Sequence, residues 1–238
     1  MSMYNLINKM VEANSDIDLD KKFNEVINIK KELRQTAVDN GVKMGPGLAG
    51  GSPCYRDLLF WYLVARTFKP KRVFEIGSWI GTTTLVIAKA LNEVHGDNFQ
   101  IVTCDYPTDV YVREHSYKHL SKNIYYNNIH SDNLVPELVK KGYKFDAVFS
   151  DASVSNSNVS DFNSLCDLSN FLFLTHDVYT HKFSKGNDAI EKITKKYSGL
   201  NIFIPEKEEG YIVDSVENHP INAVTGVLTS RELYENTF

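Results

Sequence analysis

Cysteine, long apolar runs and excess positive charge are all scarce in this sequence of 238 residues. The three cysteines, Cys54, Cys104 and Cys166, lie far apart, and none of them belongs to a C-x-x-C pair. Sparse cysteines of this kind, with no apolar signal-peptide core ahead of them, are typical of buried thiols in a reducing compartment. We therefore expect a soluble, cytoplasmic protein without a disulfide framework.

Two further absences limit the partners that this chain can have. No apolar run reaches the roughly 20 residues of a membrane-spanning helix, so no membrane partner is expected. The formal net charge of -4 provides no basic surface field, which makes nucleic acid a poor candidate. Repeats, low-complexity tracts and interdomain linkers are not visible either. A content of 42% hydrophobic and 24% charged residues then suits one α/β domain with an N-terminal addition.

Apolar strand-like runs alternate with helical patterns from residue 72 onward. Strands are predicted over 72–77, 99–105, 124–129, 145–150, 170–175, near 200–204 and over 222–229. Helices are predicted between them, over 80–94, 109–122, 133–141, 158–168 and 186–198. This alternation predicts a doubly wound, mostly parallel, seven-stranded sheet of the Rossmann-like class, with helices on both faces. Such sheets bind their ligands at the carboxyl ends of the strands.

The first 53 residues are predicted to form helices and a glycine-rich segment ahead of a ligand-binding domain over 54–238. Residues 3–40 have a helical pattern, with Ser15 and Asp16 as a candidate cap and Gly41 as a stop. The apolar stripe of the long helix needs a covering surface, which is either its own domain or a second subunit in a homodimer. Residues 41–53 are rich in glycine and proline, and they form either a lid over a ligand or an inert connector.

The run R-V-F-E-I-G-S-W-I-G-T-T-T, residues 72–84, predicts a strand, a tight turn and a helix N-terminus. Gly77 and Gly81 allow the positive φ of such a turn and a close approach of a ligand to the backbone. This geometry receives a polar ligand tail on free N–H groups. Trp79 stands where a dinucleotide fingerprint needs glycine, and Glu75 would repel a phosphate. The turn therefore predicts a small polar ligand other than a dinucleotide.

The pattern E-x-G-x-x-x-G resembles motif I of class I S-adenosylmethionine-dependent methyltransferases, and most closely the catechol O-methyltransferase-like small-molecule O-methyltransferases. This resemblance implies that Glu75 holds the methionine ammonium of the donor, directly or through water, beside Trp79 in the turn. It implies that Gly77 and Gly81 shape the loop. Ser78 and Thr83 would then meet the donor carboxylate.

Other strand ends supply further donor contacts. Asp105 follows the second strand, where a carboxylate can accept both ribose hydroxyls, and Tyr106 can lie against adenine. After the third strand, the resemblance implies that Ser131 and Asp132 contact the adenine edge. Asp132 can also serve as a helix cap.

Two further stretches resemble this family. F-D-A-V-F-S-D-A, residues 145–152, is similar to its F-D-x-V-F-x-D-x motif, and T-H-D-V, residues 175–178, to its H-D-V ending. Asp151, His176 and Asp177 would then meet at adjacent strand ends and could hold Mg²⁺ or Mn²⁺. That metal would lower the pKa of an acceptor hydroxyl and orient its oxygen toward the methyl group.

The acceptor half also departs from the family. Ala152, Ser153 and Val154 replace the His-Trp-Lys stretch whose lysine is the base, and Ser169–Asn170 replaces a glycine pair. A metal-free mechanism, with His176 or His181 as general base, therefore stays open. The predicted function is methyl transfer to a hydroxyl of a small metabolite. The alternatives are a non-catalytic protein that binds S-adenosylmethionine or a nucleotide, and an NAD-dependent oxidoreductase, which Trp79 disfavours.

Overall fold

The computed structural model describes residues 2–42, 53–105, 118–152, 161–162, 164–166, 168–176, 178, 185–204, 213–214, 219–220 and 225–238. Its helices, in chain order, are α1 Met3–Ala13, α2 Leu19–Asp39, α3 Tyr55–Phe68, α4 Thr82–His95, α5 Ser131–Lys140, α6 Lys185–Lys196 and α7 Arg231–Thr237. The strands are β1 Arg72–Ile76, β2 Gln100–Cys104, β3 Ile124–Asn127, β4 Ala147–Ser150, β5 Leu172–Thr175, β6 Leu200–Phe203, β7 Val213–Asp214, β8 His219–Pro220 and β9 Gly226–Ser230.

Seven of these strands form one sheet in the order β3-β2-β1-β4-β5-β9-β6. The five strands from β3 to β5 run parallel, whereas β9 runs antiparallel to both of its neighbours. The central strands are buried along almost their whole length, as strands covered on both faces must be. The predicted doubly wound, mostly parallel α/β fold is confirmed.

Two apolar clusters cover the two faces of this sheet. One is formed with residues of α1, α2, α3 and α4, and the other with residues of α5 and α6. Strand order reverses at β1, with β2 and β3 on one side and β4 and β5 on the other. The crevice outside the carboxyl end of β1 is therefore the topological switch point, where sheets of this kind bind ligands.

The apolar stripe of α2 packs against the chain's own domain. Val26, Ile29, Leu33 and Ala37 belong to the same buried cluster as residues of α3, α4 and the sheet. The division at residue 53 and a homodimer through these helices stay predictions.

Three local expectations differ from the structure. The N-cap of α2 is Asp18, whose side chain accepts a hydrogen bond from the Lys21 N–H, and not Ser15 or Asp16. Residues 118–123 form a 3-10 helix, where an α-helix was expected to end at 122. The strand predicted at 145 begins at Ala147, because Phe145 makes an isolated bridge to Cys166. Within the described ranges, none of the helices combines the length and hydropathy needed to cross a bilayer.

Truncation of the α2 stripe should destabilise the folded chain at every protein concentration. Leu33 is fully buried, so we expect Leu33→Ala to lower the free energy of unfolding by about 2–5 kcal/mol. Val38 is 46% exposed, and Val38→Ala should change that free energy by about 0.5 kcal/mol or less. Urea unfolding followed by circular dichroism measures both variants. A midpoint that rises with protein concentration would instead show that a second subunit covers this stripe.

Candidate functional site

Backbone hydrogen bonds set a row of residues along the carboxyl edge of the sheet. The Gly77 N–H donates to the Cys104 carbonyl, that of Asp151 to Ile76, and that of His176 to Ser150, at 2.8, 2.9 and 2.9 Å. Each bond extends the parallel ladder by one residue beyond the strands. Because neighbouring strands end in step, the residues that follow them lie side by side. Asp105, Gly77, Asp151 and His176 therefore stand in that order along the edge.

The turn after β1 has the positive backbone φ angles that its glycines predicted. Gly77 and Gly81 have φ values of +92° and +87°, and Gly81 caps the N-terminus of α4. A Cβ on Gly77 would meet Ala152 Cβ and the Asp151 carbonyl group at 3.2 Å. The end of β4 therefore approaches Gly77 closely, and the approach of a ligand to this backbone stays a prediction. Glycine is required here because the turn and the β4 end share that space.

Trp79 also adopts a positive φ, of 41°, which is uncommon for a bulky residue. Its backbone N–H donates to Oδ2 of Asp105 at 2.5 Å, which joins the turn to the end of β2. Its side chain packs against the buried cluster under the turn. Strained backbone held by a neighbouring carboxylate is common at ligand-binding sites. Ser78 and Thr83 are both buried.

Glu75 is a fully buried carboxyl group under this turn. Its Oε2 accepts a hydrogen bond from the Thr84 hydroxyl at 2.5 Å, but its Oε1 has no partner among the described residues. Burial is the main cause that raises the pKa of Glu75 to about 7; the hydroxyls of Thr103 and Thr84 oppose this rise, and the nearby carboxyl groups of Asp151 and Asp105 add to it. Removing a carboxylate from water without a partner is costly, so Oε1 marks a position for a donor group.

A second buried acceptor without a partner lies at the start of α5. Oδ1 of Asp132 has no hydrogen-bond partner among the described residues, while Oδ2 lies 3.3 Å from Nδ1 of His130. His130 is the N-cap residue of α5, and its Nδ1 accepts from the Asp132 N–H at 3.2 Å. The helix cap is therefore His130, which leaves the Asp132 carboxyl group for another role. Ser131 is buried beside it.

His176 lies between two carboxyl groups. Its Nδ1 is 2.9 Å from Oδ1 of Asp151, and its Nε2 is 3.4 Å from Oδ2 of Asp57. All three side chains are largely buried, and the indole ring of Trp61 meets the imidazole edge-on at 6.3 Å. The predicted meeting of Asp151 and His176 is confirmed by this contact. Asp57 was not among the predicted site residues.

The expected metal site is described only in part, because Asp177 lies outside the described residues, as do Tyr106, His181 and the lid candidates Met44 and Gly45. Among the described residues, no three His, Cys, Asp or Glu side chains are placed to hold a metal ion. The facing atoms of Asp151 and His176 contact each other directly. The metal therefore stays a prediction.

Comparison with known proteins places the fold. No protein-family model matches this chain, and no curated protein matches it in sequence. Its structure is similar to the Bacillus cereus O-methyltransferase bound to SAH (13% identity, 88% of this chain and 91% of that chain covered, TM-score 0.57). It is similar also to the O-methyltransferase TomG of Streptomyces achromogenes, which is involved in tomaymycin synthesis and was solved with SAM. That structure has 14% identity and a TM-score of 0.57, with 85% of this chain and 89% of that chain covered. A third similar structure is a Geobacter sulfurreducens methyltransferase, with 12% identity, 86% of this chain and 89% of that chain covered, and a TM-score of 0.59. The chain therefore has the class I methyltransferase fold.

The first prediction from this site concerns pH. The pKa of Glu75 in the folded chain, about 7, lies above its ordinary value of 4.5, so its stabilising contribution is complete below pH 4.5 and is lost as the pH rises through 7. We expect the free energy of unfolding of the ligand-free protein to fall by about 2–3 kcal/mol from this group between pH 5 and 8. Glu75→Gln should remove this part of the pH dependence of the unfolding free energy. Parallel pH profiles of the two proteins in urea unfolding would contradict it.

The second prediction separates the two constraints on Gly77. Gly77→Ala and Gly142→Ala both place a side chain at positive φ, +92° and +73°, which costs about 1–2 kcal/mol. No heavy atom lies within 4 Å of a Cβ at Gly142, whereas the end of β4 meets one at Gly77. Gly77→Ala should therefore lose about 1–3 kcal/mol more than Gly142→Ala in chemical denaturation. Equal losses of unfolding free energy would mean that the end of β4 moves aside without an energetic cost.

Proposed function

We propose that this protein is an S-adenosylmethionine-dependent O-methyltransferase acting on a hydroxyl group of a small molecule. The observation that carries the proposal is the acidic row under the glycine turn. Glu75, Asp105 and Asp151 lie close enough for the latter two to raise the pKa of Glu75. Such a site attracts a cationic ligand and repels a pyrophosphate. S-adenosylmethionine has a positive charge on both its ammonium and its sulfonium group, whereas NAD carries a pyrophosphate.

Each predicted donor contact can be assigned to a residue of this row or its neighbours. Glu75 would hold the ammonium through its unpaired Oε1, and Asp105 would accept the ribose hydroxyls. Asp132 would accept from the adenine amino group through its unpaired Oδ1, with Ser131 beside it and Tyr106 against the ring. Gly77, Trp79 and Gly81 shape the turn, and the donor carboxylate is assigned to Ser78 and Thr83.

S-adenosylmethionine supplies an electrophilic methyl group when it is bound at such a site. The residues at the ends of β4 and β5 would serve the acceptor. Asp151 stands at the tip of β4, where it would hydrogen-bond an acceptor hydroxyl and take its proton as the oxygen–methyl bond forms and the methyl–sulfur bond breaks, with S-adenosylhomocysteine as the leaving group. The contact between Asp151 and His176 would stabilise that proton within the buried pair. Positioning of the two reactants contributes the rest of the rate enhancement.

Several finer parts of the proposal concern residues outside the described ranges. Asp177 would complete a Mg²⁺ or Mn²⁺ site with Asp151, and His181 is an alternative base to His176. Residues 41–53, of which 43–52 lie outside the described ranges, would form a lid. A cytoplasmic location agrees with the three cysteines, which are all free.

The ribose assignment has a direct test. Asp105→Ala should weaken binding of S-adenosylhomocysteine by about 1–3 kcal/mol, or roughly 5- to 150-fold, because it removes the acceptor of the diol. Binding of a 2′-deoxy analogue should weaken less, since that ligand lacks one of the hydroxyls. Asp97→Ala is the matched control, because Asp97 is exposed and pairs with Lys122. Calorimetry measures all combinations, and equal losses for both ligands would remove Asp105 from the ribose site.

A screen of small hydroxylated acceptors with labelled donor tests the reaction itself. Methylation that stops with EDTA and returns with Mg²⁺ or Mn²⁺ supports the metal, whereas full activity in EDTA supports Asp151 and His176 alone. Asp151→Asn should abolish turnover and leave donor binding intact in either case. Tight donor binding without methylation of any acceptor would favour the non-catalytic alternative.

A further inference from the structure

The carboxyl group of Glu75 lies between the sheet and the first turn of α4. Val73 and Glu75 alternate onto the same face of β1, and Val73 belongs to the apolar cluster that includes Leu85 and Val86 of α4. The Glu75 side chain therefore points toward α4. Because this side chain is fully buried, protein groups or a bound ligand must satisfy its two oxygens in place of bulk water.

Thr84, in the first turn of α4, supplies one of these groups. Its hydroxyl donates to Oε2 of Glu75 at 2.5 Å, and neither residue is exposed. Thr103 is the neighbour of Glu75 across the β1–β2 pair, so its side chain lies on the same face. The Thr103 hydroxyl is close enough to oppose the rise in the pKa of Glu75, but it lacks the geometry of a hydrogen bond to any described residue. Among the described residues, Thr84 is thus the group that fixes this carboxyl group.

The bond made by Thr84 differs from those of other threonines in the helices of this chain. The hydroxyls of Thr36, Thr194 and Thr237 each donate to the carbonyl oxygen four residues earlier, at 2.9, 2.8 and 2.7 Å. Such a bond is common for a threonine within a helix. The Thr84 hydroxyl instead donates to a side chain of β1, outside its own helix. Since a hydroxyl has one proton, the bond to Glu75 replaces the local one.

This bond makes the two oxygens of Glu75 unequal. Oε2 accepts from Thr84, whereas Oε1 has no partner among the described residues. The last torsion of a glutamate side chain has only a weak preference of its own, so the carboxyl group can rotate unless a neighbour holds it. A bond from α4 to Oε2 restricts that rotation and keeps Oε1 in one position.

We propose that Thr84 is a positioning residue, which holds Oε2 of Glu75 so that Oε1 is presented to the ammonium group of the methyl donor. In this role Thr84 acts through the carboxyl group and does not contact the donor. An oxygen that is already held loses less freedom when the ligand binds, which increases affinity. The ammonium contact rests on the proposed function, whereas the hydrogen bond between Thr84 and Glu75 does not.

Hydroxyl exchange in the full chain, without any ligand, tests the hydrogen bond. With ¹³C-labelled threonine in a mixture of H₂O and D₂O, a slowly exchanging hydroxyl gives a split Cβ signal. We expect a split signal for Thr84, which Thr84→Ser assigns by removing it. Glu75→Ala should speed the exchange, because the acceptor is gone. An averaged Thr84 signal in the wild-type protein would overturn the proposal, as would unchanged exchange in folded Glu75→Ala.

Calorimetry with two ligands tests the positioning role. S-adenosylhomocysteine carries the α-amino group, and its analogue with hydrogen in that place does not. Thr84→Val keeps a similar shape but lacks the hydroxyl, so it should weaken binding of S-adenosylhomocysteine on the order of 10-fold and of the analogue about twofold or less. Thr84→Ser should restore the affinity to within about threefold of wild type, because it restores the donor.

Thr229→Val is the matched control for this titration. Thr229 is equally buried, and its hydroxyl has no partner among the described residues, so both affinities should stay unchanged. Equal losses for the two ligands in Thr84→Val would overturn the positioning role, as would a Thr84→Ser variant that binds as weakly as Thr84→Val. Thr84→Ala serves as the second variant if Thr84→Val does not fold. If the wild-type protein binds neither ligand, the proposed function fails, and hydroxyl exchange still decides whether Thr84 holds Glu75.

Discussion

The in-step ending of four parallel strands is the constraint on which the candidate site depends. One backbone hydrogen bond beyond each strand holds Gly77, Asp151 and His176 beside their neighbours. Gly77 has no room for a Cβ because the end of β4 occupies that space. The turn that would hold a donor and the strand end that would serve an acceptor are therefore in direct contact. A shift in either one would move the other.

This contact also explains why the two halves of the site share one electrostatic environment. Glu75 lies buried under the turn, and Asp105 and Asp151 raise its pKa from the two sides. Asp105 accepts a hydrogen bond from the strained Trp79 backbone, and Asp151 contacts the imidazole of His176. A cationic ligand relieves the repulsion among these carboxyl groups, which is the physical reason to expect a sulfonium donor here.

Prediction from the sequence succeeded where one strand and its following loop carry the information. Gly77, Gly81, Asp105 and Asp151 follow apolar runs that end at readable points, and parallel strands bring such ends together. Asp57 escaped prediction because its contact with His176 depends on α3 meeting the end of β5, far away in the chain. Its one local signal was its place four residues before Trp61, on the same buried face of a largely apolar helix. Asp132 was a candidate cap of α5, yet the N-cap is His130, whose Nδ1 has the lone pair that accepts from the Asp132 N–H.

The central claim is that the acidic row binds a sulfonium donor rather than a dinucleotide. Calorimetric titration of the wild-type protein with S-adenosylmethionine, S-adenosylhomocysteine and NAD tests this claim most directly. We expect one site per chain for the first two ligands, with the charged sulfonium form bound at least as tightly as its neutral product, and no measurable binding of NAD. Binding of NAD in preference to both others would contradict it, as would the absence of binding by either methionine-derived ligand.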